Sequence, residues 1–122
     1  MRHIIRKPQA FLPALSLVVT LAAVSAPASA GVALKDYSAA KNTQGFSEFL
    51  DGVTAGFRQA NAELQLRRMK KLYCEPPNAG LRFDTYTTVL EKEVKENEAY
   101  YTVETPVETA LLFGLMKTYP CK

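Results

Sequence analysis

FSEFLDGVTAGFRQANAELQLRRM, from Phe46 to Met69, is the stretch whose reading decides the fold. Phe46, Phe49, Leu50, Val53, Phe57, Ala60 and Leu64 recur at steps of three and four, the period of one face of an α-helix. A half-buried strand would alternate every second residue, and this stretch does not. Gly52 and Gly56 lie four apart beside the apolar face. Each costs about 1 kcal/mol against alanine inside a helix, so a packing reason is expected: close approach of a second copy of the chain, or local crowding within one copy. Both readings fit. Arg67, Arg68, Lys70 and Lys71 gather at the C-terminal end, where cations oppose the helix macrodipole. Gln59 and Asn61 read as solvated face.

Working outward, the turn CEPPNAG, 74–80, leads into FDTYTTVLEKEVKENEAYY, 83–101. Asp84 stands where a cap belongs, and Tyr86, Val89, Leu90, Glu93, Val94 and Asn97 keep a helical spacing. Glu91, Lys92, Lys95, Glu96 and Glu98 form the opposite, solvated side. In TPVE, Thr105 is placed to cap, Pro106 to take the first helical position, and Glu108 to complete a capping box. Val107, Ala110, Leu111, Gly114, Leu115 and Met116 then face inward until Pro120 ends the helix. GVALKDYSAAKNTQ, 31–44, reads as a loose lead-in or a short extra helix. Three main helices without a convincing strand predict an all-α fold, a small helical bundle of three to five helices in a single domain over 31–122.

Residues 1–30 read as a cleaved secretory signal peptide: Arg2, Arg6 and Lys7, an apolar run from Phe11 to Val24, then Ala28, Ser29 and Ala30. The run is 14 residues long and contains Pro13, short of the ~20 that a membrane span needs. Cleavage after Ala30 would release a chain that begins at Gly31, carries no lipid-accepting cysteine there, and has no membrane attachment. In a bacterium that places it in the periplasm. Because residues 1–30 hold three of the 15 Lys+Arg and none of the 12 Asp+Glu, the remainder is balanced in charge. A nucleic-acid ligand, which calls for a basic surplus, is not expected.

The only histidine, His3, leaves with the signal. Cys-His and Ser-His pairs and histidine metal sites are therefore absent from the mature chain, and the expectation is a protein that is not an enzyme, with no cofactor. Cys74 and Cys121 are the only cysteines. As a nucleophile Cys74 lacks a base, and as a metal ligand it lacks companions. In an oxidising compartment the pair reads as a disulfide. Closing a loop of nearly fifty residues, it would contribute roughly 4 kcal/mol in the chain-entropy model, and it would tie the first long helix to the last.

The ordered set FLDGVTAGFRQANAEL, LYCEPP, the Tyr86-to-Leu90 helix and TPVETALLFGLMKTYPC resembles the Rap/Tai family of periplasmic immunity proteins, which protect against amidase effectors of type VI secretion. The matching positions are Gly52, Val53 and Gly56; Cys74 and Pro76; and Pro106, Ala110, Leu111, Tyr119, Pro120 and Cys121. An additional upstream cysteine, common in the family, is missing. The resemblance implies a small helical protein, commonly a homodimer, that binds a secreted peptidoglycan amidase and occludes its active site.

A blocking surface of that kind needs a protruding, fairly rigid segment, and ENEAYYTVETP, 96–106, fits it best. The candidate partner-binding residues are Glu96, Asn97, Glu98, Tyr100, Tyr101, Thr102 and Glu104. Tyrosine offers large contact area at low entropy cost, and carboxylates complement polar, partly cationic surroundings. Tyr100 and Tyr101 could equally pack over the end of the bundle. A second function class is a small helical periplasmic stress chaperone, which would dissociate in acid and hold clients.

Overall fold

Thr43 starts the long helix: its Oγ1 accepts the N–H of Phe46 at 3.1 Å, satisfying one of the free donors of the first turn. In the computed structural model, which describes residues 31–122, this helix is α2, Gln44–Leu66. Before it comes α1, Leu34–Ala40, and after it α3, Phe83–Glu96, and α4, Val107–Thr118. The expected signal peptide, 1–30, lies outside the described residues. Among the described residues the fold is all-α and disulfide-stapled, and no helix is long and apolar enough to cross a membrane.

α2 ends where Arg68 turns into the left-handed region at φ 58°. Arg68 N–H bonds to Gln65 O at 3.0 Å and Met69 N–H to Leu64 O at 2.8 Å, the paired bonds of a Schellman closure. Arg68, Lys70 and Lys71 thus fall beyond the helix instead of in its last turn. Arg67 is the capping residue and pairs with Glu63 at 2.6 Å. The buried face of α2 is also rotated from the expected one: Phe46, Leu50, Thr54 and Asn61 are buried, Phe49, Val53, Phe57 and Leu64 are half-buried, and Ala60 is exposed. Thr54 donates to Asp51 O at 3.2 Å. Asn61 bonds at both ends of its carboxamide, to Tyr73 O and Leu72 N–H. A polar group with its partners supplied can be buried at little cost.

α3 buries Tyr86, Val89, Leu90 and Glu93, the spacing expected of it. Its cap is not Asp84, which lies in the first turn; the Asp84 carbonyl instead accepts the hydroxyls of Thr87 at 3.1 Å and Thr88 at 2.8 Å. α4 packs mainly on α3 and buries Val107, Ala110, Leu111, Gly114 and Leu115. Met116, expected inside, is 37% exposed. Gly114 sets the separation: a Cβ there would meet Val89 Cγ1 at 2.8 Å and Glu93 Cβ at 3.1 Å.

The capping box at the start of α4 does not form. Thr105 Oγ1 accepts Thr102 N–H at 3.0 Å, and Pro106 is the residue before the helix. What competes is the lead-in, which is ordered and strapped across this point. Val107 N–H bonds to Val32 O at 2.8 Å, Leu34 N–H to Thr105 O at 2.9 Å, and Lys35 N–H to Val103 O at 3.0 Å. From α1, the Tyr37 ring meets Phe46 edge-on at 5.5 Å, and its hydroxyl donates to Glu91 at 2.8 Å.

Cys74 and Cys121 form the expected disulfide, their Cα atoms 5.0 Å apart. Cys74 N–H also bonds to Tyr119 O at 2.8 Å. The tail after α4 is therefore held to the chain leaving α2 by one covalent and one hydrogen bond.

Candidate functional site

The connection between α3 and α4 is a built loop. Asn97 closes α3 by donating from Nδ2 to Glu93 O at 3.1 Å. Glu98–Tyr100 then makes one 3-10 turn, in which Tyr100 N–H bonds to Asn97 O at 2.9 Å. A second turn follows, Thr105 N–H to Thr102 O at 3.0 Å, reinforced by the Thr105 hydroxyl. The N-terminal strap grips the loop's edge at Val103 and Thr105. Lys35 Nζ adds an exposed ion pair with both oxygens of Glu104, at 2.7 and 2.9 Å, which holds the ammonium pKa above its ordinary range.

Two adjacent tyrosines have opposite roles in this loop. Tyr101 turns inward, half-buried, and its hydroxyl donates to Glu93 Oε1 at 2.7 Å. The same oxygen accepts Lys117 Nζ at 2.9 Å, so the buried Glu93 carboxylate, 4% exposed, has a cation and a phenol as partners. Burial first, and then the Glu93 carboxylate, pushes the Tyr101 phenol well above its ordinary value. Tyr100 points outward with 84% of its surface exposed. It borders an open hollow of about 520 Å³ with Glu93, Asn97, Tyr101, Phe113 and Lys117.

Of the seven candidate residues, Asn97, Tyr100 and Tyr101 meet around this hollow. Glu96 and Glu98 are exposed, with Glu96 4.0 Å from Lys92. Thr102 and Glu104 are exposed on the other side, beside Lys35. Sequence reasoning missed Phe113, Lys117 and Val103 as parts of the surface. Phe113, 47% exposed, is a large apolar residue on α4 outside the inward set, and that was the signal available.

At Gly52 and Gly56 an added Cβ would meet nothing within 4 Å. Crowding within one copy of the chain is therefore not their reason, and they leave an open small-residue face on α2. Asn61, expected in solvent, is instead a buried anchor.

A second cluster lies by the disulfide. The hydroxyls of Tyr73 and Tyr86 and Glu75 Oε1 are buried without a hydrogen-bond partner. Burial, then Glu75, raises the Tyr73 phenol to about 12. Tyr73 and Glu75 line a shallow cleft of about 240 Å³ with Arg58, Asn61, Gln65 and Lys71. Among the described residues no three His, Cys, Asp or Glu side chains gather in a way that could hold a metal ion. Compared with family models, curated proteins and solved structures, the chain finds no match.

Proposed function

We propose that this chain is a periplasmic immunity protein, one that binds a peptidoglycan amidase effector of type VI secretion and blocks its active site. The observation that carries the reading is Tyr100, a large aromatic side chain 84% exposed at the tip of a loop fixed on both flanks. A loop backbone already held in place loses little freedom on binding, so more of the contact energy appears as affinity. Tyrosine is also among the residues that dominate protein interfaces. Glu96 and Glu98, exposed close to it in the chain, add negative charge, suited to the cationic surroundings of a Cys-His amidase centre. The disulfide fits an oxidising compartment, in keeping with an exported chain. A second copy of the chain is proposed to pack on the open Gly52 and Gly56 face of α2.

The test is direct. The processed chain is added in rising amounts to an amidase effector while peptidoglycan hydrolysis is measured. Activity should end near one-to-one stoichiometry, with a complex that survives gel filtration. Full hydrolysis in the presence of excess chain, and no complex, would refute the proposal.

A further inference from the structure

Glu108 stands in the first turn of α4, and its Oε2 is buried without a hydrogen-bond partner. A carboxylate oxygen left in that state is costly, so a positively charged or donating group belongs beside it. The Gly31 backbone lies against this carboxylate. A Cβ built there would strike Glu108 Oε1 and lie 2.7 Å from Oε2 and 2.8 Å from Cδ, closer than a carbon tolerates. The strap fixes Gly31 in that place, because the next residue, Val32, accepts Val107 N–H at 2.8 Å and Ala33 pairs with Pro106.

The sequence independently puts the signal-peptide cut between Ala30 and Gly31. Hydrolysis of that amide adds one water: the carboxylate stays on Ala30 and leaves with the signal, and the Gly31 nitrogen takes up protons to become an ammonium. We infer that this new α-ammonium docks on the Glu108 carboxylate, so that processing itself completes the start of α4. Freed from Ala30, the nitrogen can swing about the Cα–C bond to the place a Cβ would take. A carbon there clashes with both oxygens. An ammonium there makes charge-assisted hydrogen bonds after a shift of a few tenths of an ångström, since such bonds settle at about 2.7–2.9 Å. The pair also tightens the strap that holds Val103 and Thr105, and so stiffens the loop that bears Tyr100. The inference rests on cleavage after Ala30 and is independent of the proposed amidase partner.

The test uses chain recovered after export. Its first residue is sequenced, and its folding equilibrium is compared by urea unfolding with an Nα-acetylated form, Glu108→Gln, and the two combined. Gly31 should be first. Either change should weaken the folding equilibrium by roughly tenfold, and the combination should be no weaker than either alone. A different first residue, an acetylated chain as stable as the free one, or losses that multiply would each overturn the inference. Should Glu108→Gln fail to fold, the acetylated chain alone decides.

Discussion

Asn61 and Tyr73 fasten the long helix to the chain that leaves it: Asn61 Nδ2 donates to the Tyr73 carbonyl at 3.0 Å, while its Oδ1 accepts the Leu72 N–H at 2.8 Å. Cys74 is the next residue, so this clasp delivers its sulfur to Cys121. Asn61→Ala would leave two backbone groups unpaired beneath the helix, and it is expected to cost about 2–4 kcal/mol. The urea midpoint of the oxidised protein measures this, and a shift no larger than that of an exposed alanine substitution such as Gln59→Ala would contradict it.

Reducing the Cys74–Cys121 bridge, which spans 47 residues, should lower stability by roughly 4 kcal/mol. Unfolding with and without reductant reads the effect. A Cys74→Ala, Cys121→Ala double variant should behave like the reduced protein, and an unchanged midpoint in either would remove the staple from the account.

Glycine substitutions should divide by location. Gly114→Ala drives a Cβ into Val89 and Glu93 and is expected to destabilise by about 1–3 kcal/mol. Gly52→Ala and Gly56→Ala enter open space and should stabilise the isolated chain by up to about 1 kcal/mol each. If α2 packs against a second copy, the same two changes should weaken self-association in sedimentation experiments. Unaltered self-association would exclude Gly52 and Gly56 from a dimer contact.

Tyr37, Tyr73, Tyr86 and Tyr101 all have phenol pKa values raised by burial first. A raised folded value means that the unfolded chain releases its protons at lower pH. The stability tied to these groups is present below the ordinary tyrosine value of about 10 and is lost as pH climbs from there toward the folded values. Urea midpoints should therefore fall above about pH 10, and Tyr101→Phe should shallow that fall. A midpoint indifferent to pH in that range would contradict the burial of these hydroxyls.

The helices were legible because apolar spacing is a local property: Phe46 and Leu50, Tyr86 through Glu93, and Val107 through Leu115 all lie where the period puts them. What the period cannot convey is which polar groups find partners across the fold. Asn61 is inside because Leu72 and Tyr73, beyond the helix, supply its partners, while Thr54 meets its own need within α2 at Asp51 O. At Thr105 and Glu108 the sequence has the letters of a capping box. The strap takes the Thr105 carbonyl, Thr102 takes its hydroxyl, and Glu108 lies against Gly31 instead. The loop was legible as a candidate surface, but the division of labour between Tyr100 and Tyr101 was not, because it depends on Glu93 being buried eight residues upstream of Tyr101.

The central claim, that a braced loop offers Tyr100 to an amidase, is tested most directly by the dissociation constant of the complex for Tyr100→Ala beside the unaltered protein. Tyr100 is so exposed that its loss should leave the urea midpoint in place. The account predicts affinity weakened by at least about thirtyfold, as for a residue at the centre of an interface. Tyr100→Ala binding the amidase as tightly as the unaltered chain would contradict it.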